Sequence, residues 1–310
     1  MGKHLNRREF FSGVAGTTLI GAALSGRAMD SKPTASLPNF PGGSQFNIKA
    51  ALNAYSFNKP LRSGEMTLFD VIDFCASADL SGLDATGYYF PGYPNVPDDR
   101  FVYDLKRHAF RCGLTITGTG VRNDFAIADS ARRKADVQMV KNWIDVAEKL
   151  GAPIVRIFAG KKIPDGYTFE QALEWMAVDI RECAEYGKEH GVIVGLQNHN
   201  EFLKTADETI RLVKTVDSDW LKVILDTGSL RAGDPYKEIE KLVPYAASWQ
   251  LKEIIWHTGE PGPVNMLKIK DLLAKTNYQG FLPIETLGEG DPKIKISRMV
   301  KDLRKTIPGV

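Results

Sequence analysis

The feature that most constrains this fold is an alternation of short apolar segments with longer amphipathic ones, repeated eight times from residue 47 onward. The apolar segments are rich in β-branched residues and bounded by Gly, Pro or Asn, which is typical of strands. The segments between them carry apolar residues at helical spacing, which predicts helices over 66–78, 134–150, 169–190, 206–216, 235–242, 266–275 and 294–307. The predicted strands are 48–57, 83–89, 115–121, 154–159, 192–198, 222–226, 248–254 and 281–286.

Strands that alternate with helices indicate an α/β protein with a parallel sheet and right-handed crossovers. Thr168 and Thr205 precede helical segments that open with acidic or amide residues, and this is a helix start signal. The first strand ends without a Gly-rich phosphate turn, which an open doubly wound sheet would often show. Eight strands over residues 47–310 therefore predict a single closed (β/α)8 TIM barrel.

The first 28 residues have the pattern of an export signal. Arg7-Arg8 resembles the bacterial twin-arginine signal, and an uncharged run over 12–26 follows it. This run is shorter than the roughly 20 apolar residues of a membrane span. Residues 29–46 are rich in Pro, Ser and Gly and predict a linker before the catalytic domain at 47–310. We expect a periplasmic or secreted protein without a stable membrane anchor; the alternative is a disordered tail with a chance Arg pair.

Charge and residue counts exclude several function classes. Removing the four basic residues and one acidic residue of 1–28 leaves 36 basic and 37 acidic residues, so no basic surface for nucleic acid is expected. Three cysteines cannot form a disulfide framework, and no Cys/His zinc pattern appears. Five histidines hardly allow a site with several zinc ions. The sequence leaves open whether the chain forms a homo-oligomer.

Two carboxylates stand where apolar strands end, at the edge that carries the active site in TIM barrels. Asp226 and Glu285 each follow an apolar strand, and a carboxylate so placed must be paired, hydrogen-bonded or bound to metal. Together with the amide oxygens of Gln197 and Gln250 they predict a site for a hard divalent ion such as Mg²⁺ or Mn²⁺.

Cations and other polar groups follow the neighbouring strands. Lys252 and Arg156 offer the alternative to a metal, a buried salt bridge to the carboxylates. His199 is equally well explained as a catalytic or as a structural residue. The aromatic run 88–93 at a strand end favours a wall on which a sugar stacks. The residues expected to contact the substrate are Arg156, Tyr89, Asn123, Asn198 and Trp249.

Three strand-end motifs together resemble the sugar phosphate isomerase/epimerase family, the xylose isomerase-like TIM barrels. They are Leu-Gln-Asn-His-Asn at 196–200, Leu-Asp-Thr-Gly at 225–228 and Pro-Ile-Glu at 283–285. The resemblance covers roughly residues 47–308 and implies a divalent metal ion (Mg, Mn or Zn) held by Asp226 and Glu285. Gln197 and Gln250 stand where the family has Glu and His, and Ser229 replaces a further His. The chain looks like an exported branch of the family.

These departures leave three functions open. The resemblance implies an isomerase or epimerase of a small carbohydrate, in which two carboxylates move a proton α to a carbonyl. Gln197 cannot act as a base, so Glu285 remains as the carboxylate base, with Lys252 or Arg156 as oxyanion partners and His199 as the next candidate base. One base suffices for a lyase that eliminates a group from a 3-keto-glycoside. Export favours a non-phosphorylated sugar, and a non-catalytic carbohydrate-binding protein is the third possibility.

Overall fold

The computed structural model describes residues 47–307 and 309–310, in which eight parallel strands close into a barrel, and this confirms the predicted (β/α)8 fold. The predicted signal peptide (1–28) and linker (29–46) lie outside the described residues. The barrel strands are β1 (Ile48–Asn53), β2 (Gly82–Asp84), β3 (Thr115–Gly120), β4 (Ile154–Phe158), β5 (Ile193–Gln197), β6 (Leu221–Asp226), β7 (Ala246–Lys252) and β10 (Gly280–Glu285). They follow one another in this order around the barrel, and β10 pairs with β1 to close it.

A hairpin and three short turns lie outside this regular pattern. After β7 the chain forms an antiparallel hairpin of β8 (Ile254–His257) and β9 (Glu260–Pro263), which pairs with no barrel strand. The 3₁₀ turns are Ala54–Phe57, Gly87–Tyr89 and Val243–Tyr245. Two of them replace the ends of predicted strands 48–57 and 83–89, so β1 and β2 end several residues earlier than predicted.

Helices surround the barrel at close to the predicted positions. They are α1 (Asn58–Ser63), α2 (Leu68–Ser77), α3 (Asp99–Arg111), α4 (Ser130–Leu150), α5 (Phe169–Glu189), α6 (Ala206–Val216), α7 (Pro235–Leu242), α8 (Met266–Thr276) and α9 (Pro292–Thr306). Thr168 and Thr205 cap α5 and α6 in capping boxes, as their sequence context predicts. No helix is predicted over α3, whose sequence is mostly polar and which buries only Val102, Leu105 and Ala109. None of the described helices is long and apolar enough to cross a membrane.

Polar residues occupy the carboxyl ends of the strands, whereas apolar residues fill the space between strands and helices. Six barrel strands end on a buried polar residue: Asn53, Asp84, Gln197, Asp226, Lys252 and Glu285. The strand register places these residues side by side, since Asn53 pairs with Asp84 and Glu285 with Lys252. The fold therefore collects a ring of hydrogen-bonding and charged groups at one mouth of the barrel.

Candidate active site

A cavity of about 530 Å³ opens at this mouth. Its lining includes six residues that the sequence predicts for the site, namely Arg156, Gln197, His199, Gln250, Lys252 and Glu285. Aromatic side chains form another part of the lining, and they are Tyr55, Tyr88, Tyr93 and Phe158. The size and the mixture of aromatic and polar groups suit a small polar ligand, because binding cavities for such ligands hold about 300–1,000 Å³.

The centre of the cavity is an ion pair. Lys252 Nζ lies 2.5 Å from Glu285 Oε1 and 3.5 Å from Asp226 Oδ2. All three side chains are at most 10% exposed. Burial opposes the charge on Lys252, but the two carboxylates outweigh it and raise the pKa of the ammonium above its ordinary value. Burial, helped by the charge of Asp226, raises the pKa of Glu285 against the opposing effect of Lys252.

Asp226 is surrounded by hydrogen-bond donors from its own chain. Its Oδ2 accepts from Gln197 Nε2 at 2.7 Å and from Ser229 Oγ at 2.8 Å. Its Oδ1 accepts from the backbone N–H of Gly228 at 2.9 Å. The amide nitrogen of Gln197, and not its oxygen, therefore faces the carboxylate.

These contacts bear on the divalent ion that the sequence predicts at Gln197, Asp226, Gln250 and Glu285. An ammonium group already bridges the two carboxylates, and two of the four positions carry neutral amides. The amide nitrogen of Gln197 donates a hydrogen bond to Asp226, so the oxygen atoms of the four predicted ligands do not converge on one point where an ion could bind. The residues present fit the lysine ammonium and do not fit a divalent metal ion.

Gln250 contributes an unpaired acceptor. Its Oε1 is buried and has no hydrogen-bond donor among the described residues, although its side chain lines the cavity. An unsatisfied buried carbonyl oxygen costs free energy unless a donor reaches it.

Arg156 lies against the aromatic part of the cavity wall. Its Nη1 donates to Tyr88 Oη at 2.9 Å and to the backbone oxygen of Val121 at 2.8 Å. The guanidinium lies 4.4 Å from the ring centre of Phe158 and 5.2 Å from that of Tyr88. This stacking fixes the orientation of a buried cation next to the cavity.

Asp84 is a buried carboxylate beside this site that receives no role from the sequence. Burial raises its pKa to about 6, against the opposing charge of Arg156 and with a smaller contribution from Glu285. It accepts a hydrogen bond from Asn53 Nδ2 at 3.1 Å. The signal that could have found it is the one that marks Asp226, a carboxylate at a strand end. The predicted strand 83–89 placed Asp84 inside the strand instead.

His199 lines the cavity, and its side chain is 28% exposed. Burial lowers its pKa, and the charges of Asp226 and Glu201 only partly oppose this effect. Its Nδ1 lies 3.3 Å from Glu201 Oε2 but does not have the geometry of a hydrogen bond. The ring packs edge-on against Phe158, with 5.1 Å between ring centres.

Four residues that the sequence predicts as substrate contacts have other positions. Asn123 exchanges two hydrogen bonds with the backbone of Phe158, and Asn198 exchanges two with the backbone of Asp226. Both amides thereby continue the ladder between neighbouring strands beyond its end, and neither lines the cavity. They position Phe158 and Asp226 and are not themselves available to a ligand.

The two aromatic residues that the sequence predicts as substrate contacts also lie outside the cavity lining. Trp249 is fully buried and packs against Tyr278 with 5.5 Å between ring centres, so it belongs to the core. Tyr89 donates a hydrogen bond to Asn58 Oδ1 at 2.9 Å and is not part of the cavity lining. The 3₁₀ turn at Gly87–Tyr89 turns Tyr88 into the cavity in its place. Residue spacing along a strand could not show this, because the strand ends before the turn.

A second cavity of about 350 Å³ adjoins the first and shares His199, Lys252, Glu285 and Leu287 with it. Trp256 and Ile254 from the β8–β9 hairpin form its apolar side. The Arg231 guanidinium lies 4.3 Å from the ring centre of Trp256. Ile254 and Leu287 are both more than 40% exposed, which leaves apolar surface open to a ligand here.

A separate group of metal-binding residue types lies on the outer helices. Asp73 in α2 meets His108 in α3, with 2.7 Å between Asp73 Oδ1 and His108 Nε2. Cys112 Sγ lies 3.8 Å from the same carboxylate oxygen, and the three ligand atoms are within 4.8 Å of one another. The group joins two helices and contributes no residue to either cavity.

Comparisons with known proteins agree with this architecture. A family model described as the xylose isomerase-like TIM barrel matches residues 72–305. No curated protein matches the chain.

Solved structures match over most of the chain. D-psicose 3-epimerase from Clostridium cellulolyticum H10, solved with D-tagatose, is 18% identical with a TM-score of 0.68, covering 84% of this chain and 99% of its own. The 3-keto-D-glucoside 4-epimerase of E. coli is 12% identical with a TM-score of 0.66, over 84% and 99%. A xylose isomerase-like TIM barrel protein from Mycobacterium smegmatis, in complex with magnesium, is 17% identical with a TM-score of 0.63, over 86% and 98%. At these identities the similarity establishes the fold.

Proposed function

Because this chain belongs to the xylose isomerase-like TIM barrel family, we propose that it is a carbohydrate isomerase or epimerase that removes a proton α to a sugar carbonyl. The observation that carries the proposal is the buried Glu285–Lys252 pair at the centre of a cavity lined by aromatic and hydrogen-bonding groups. A base beside a cation is what enediolate formation requires, since the proton leaves as charge builds on the neighbouring oxygen.

In this reaction Glu285 accepts the proton from the α-carbon. The C–H electron pair forms the carbon–carbon double bond, and the carbonyl oxygen becomes an oxyanion that a cationic donor stabilises. The hydroxyl group on the former α-carbon then gives its proton to this oxyanion and becomes the new carbonyl, while Glu285 returns the carbon-bound proton to the neighbouring carbon, and this gives the isomer. A single carboxylate on one face of the substrate suffices for this transfer.

The aromatic part of the cavity lining supports a sugar as the substrate, because Tyr55, Tyr88 and Phe158 offer ring faces for sugar C–H groups. We also propose that the protein is exported to the periplasm or beyond, where glycosides rather than sugar phosphates are encountered. This part rests on residues 1–28.

The test is solvent deuterium exchange at the α-carbon, followed by NMR in D₂O with D-fructose, D-tagatose and a 3-keto-glucoside. Glu285→Gln should lower the exchange rate by about 10²–10⁴-fold, the usual contribution of a general base, while sugar binding persists. Glu289→Gln is the matched control, because Glu289 is an exposed carboxylate in the loop after the same strand. Exchange at the wild-type rate in Glu285→Gln would place the base elsewhere, with His199 as the next residue to replace.

A second candidate function is β-elimination from a 3-keto-glycoside, and the second cavity favours it. Lys252 and Glu285 lie between the two cavities, so a substrate that reacts there can extend to both sides. The reacting ring would occupy the larger cavity, and the group on its glycosidic oxygen would lie against Trp256. The same proton abstraction would then expel that group at the β-carbon instead of returning the proton.

Product analysis separates the two reactions, since a rearranged sugar and an unsaturated sugar differ in NMR and in ultraviolet absorption. Trp256→Ala should raise KM for a 3-keto-glycoside with an aromatic leaving group and leave a free monosaccharide unaffected. Trp220→Ala is the control, because Trp220 is a half-buried tryptophan next to the amino end of β6. If both variants bind the glycoside like the wild type, the second cavity does not hold the leaving group.

A further inference from the structure

We infer that the Lys252 ammonium takes the place of the divalent cation that the family resemblance implies, so that this chain carries out its chemistry without a bound metal ion. The catalytic part of this inference rests on the proposed function, whereas the absence of a metal site does not.

The backbone around Lys252 makes room for its side chain. A Cβ atom at Gly228 would lie 2.6 Å from Lys252 Cγ, so only glycine lets the lysine stem pass over this turn. The Lys252 backbone N–H donates to Thr227 Oγ1 at 3.0 Å, which fixes the strand end where the side chain begins. Each residue of the Asp-Thr-Gly run at 226–228 therefore helps to place Lys252: the first supplies a carboxylate, the second fixes the backbone, and the glycine leaves space for the lysine side chain.

The position of the ammonium matches the position of the expected ion. Lys252 Nζ lies within 3.5 Å of a carboxylate oxygen from both Asp226 and Glu285, the two residues that the resemblance assigns as metal ligands. A divalent ion bound by both carboxylates would stand next to this ammonium and be repelled by it. The other two ligand positions carry Gln197 and Gln250, which add no negative charge to offset a second cation.

The hydrogen-bond donors around Asp226 also favour an ammonium group over a metal ion at this site. Gln197 Nε2 and Ser229 Oγ both donate to Asp226 Oδ2, and they stand where the resemblance expects a carboxylate and an imidazole ligand. Both substitutions replace a group that binds cations with a group that donates hydrogen to an anion. The site has thus become a set of donors around one carboxylate, with a covalently tethered cation beside it.

In the proposed reaction the ammonium would do what a Lewis acid does. As Glu285 takes the α-proton, the carbonyl π electrons move to oxygen, and a Lys252 N–H donates to that oxyanion. No electron leaves the substrate, and the proton on Glu285 is the one returned or lost to solvent. A lysine suits this role because its ammonium is a compact charge with three donors.

The first experiment needs no substrate. Wild-type protein, stripped with a chelator and dialysed, is titrated with Mn²⁺, Mg²⁺ or Zn²⁺ up to about 1 mM, which covers the weakest class of oxygen-ligand sites in proteins. Binding is followed by calorimetry and by Mn²⁺ electron paramagnetic resonance. We expect no Mn²⁺ or Mg²⁺ site that Asp226→Asn removes. Since Asp73, His108 and Cys112 could hold Zn²⁺, His108→Ala is titrated in parallel to assign any zinc uptake.

The second experiment opens the place that Lys252 fills. Lys252→Met leaves two carboxylates without their cation, so a Mn²⁺ site that the wild type lacks should appear. Lys214→Met, an exposed lysine of α6, is the control and should gain none. If Lys252→Met fails to fold, the double variant Lys252→Met/Glu285→Gln, which removes one of the two buried carboxylate charges, shows whether that charge prevents folding. In that case the titration of the wild-type protein alone decides the inference.

The outcomes separate this inference from the proposed function. A wild-type Mn²⁺ site that Asp226→Asn abolishes overturns the inference and leaves the proposed reaction standing. Absence of deuterium exchange with every sugar contradicts the proposed reaction, yet the metal titration still decides the inference. Exchange that survives chelation and falls at least tenfold in Lys252→Met supports both.

Discussion

Replacing Asp84 with asparagine should make the protein more stable at neutral pH. Asp84 is 7% exposed at the end of β2, and burial raises the pKa of its carboxyl from 3.8 to about 6. The folded chain therefore binds this proton more tightly than the unfolded chain does. Between the two pKa values the folded state holds more protons, so stability falls as pH rises and the loss is complete above the folded pKa.

The size of the effect follows from the shift. One pKa unit corresponds to about 1.4 kcal/mol, so a shift from 3.8 to about 6 costs about 3 kcal/mol once Asp84 is ionised. Asparagine has nearly the same shape, and its side-chain oxygen can still accept the hydrogen bond from Asn53 Nδ2. The stability gained by Asp84→Asn should thus grow from about 1 kcal/mol at pH ~4.5 to about 3 kcal/mol at pH ~8.

Urea unfolding of both proteins at several pH values measures this difference, because the free energy of unfolding extrapolates linearly with urea concentration. Comparing the variant with the wild type cancels the titration of all other groups. Asp271→Asn, which changes an exposed aspartate of α8, is the control and should show no pH-dependent gain. A constant difference between Asp84→Asn and wild type across this pH range would refute the reasoning, since it would mean that Asp84 titrates alike in both states.

Three further predictions concern other parts of the chain. Gly87→Ala should lower the free energy of unfolding by about 1–3 kcal/mol in urea titration, because overpacking has that cost and a Cβ there would lie 2.6 Å from a backbone oxygen of β3. In the folded protein, a thiol reagent such as Ellman's reagent should label Cys112 but not Cys75 or Cys183. Burial raises the pKa of the Cys75 thiol to about 12 and also raises the pKa of the Cys183 thiol. Labelling of all three cysteines before unfolding would contradict this prediction. Changing Arg7-Arg8 to Lys-Lys should retain the protein in the cytoplasm on cell fractionation, whereas an unchanged periplasmic yield would exclude the twin-arginine route.

The fold could be predicted because the two periodicities that define it are local. Alternating strand and helix patterns place α6 and α7 with the bounds that the structure shows, and the capping residues Thr168 and Thr205 mark two helix starts. Helix α3 is not predicted because only three of its residues are buried, while Tyr103 and Phe110 are exposed, so its apolar residues do not mark a single face. The β8–β9 hairpin is not predicted, because the alternation of strands and helices in a barrel does not include an extra antiparallel pair of strands.

The site was predictable only as far as strand ends show it. Asp226, Glu285 and Lys252 stand at positions that any parallel barrel would bring together, and they do meet. What the sequence could not decide is which cation the carboxylates receive, since that depends on the path of the Lys252 side chain over Gly228. The sequence also could not show that the side-chain oxygen and nitrogen of Asn198 both form hydrogen bonds with the backbone of β6.

In the proposed elimination, the β8–β9 hairpin would separate recognition of the leaving group from the reaction. The groups proposed to move the proton stand on β7 and β10, which pair with each other in the barrel, whereas Trp256 stands on a ribbon that shares no strand pairing with the barrel. Apart from Ile255, which is buried in the core, residues of the ribbon can therefore vary without breaking a strand pairing of the barrel. Exchanging it between related barrels is a direct route to new leaving-group preferences on one unchanged chemistry.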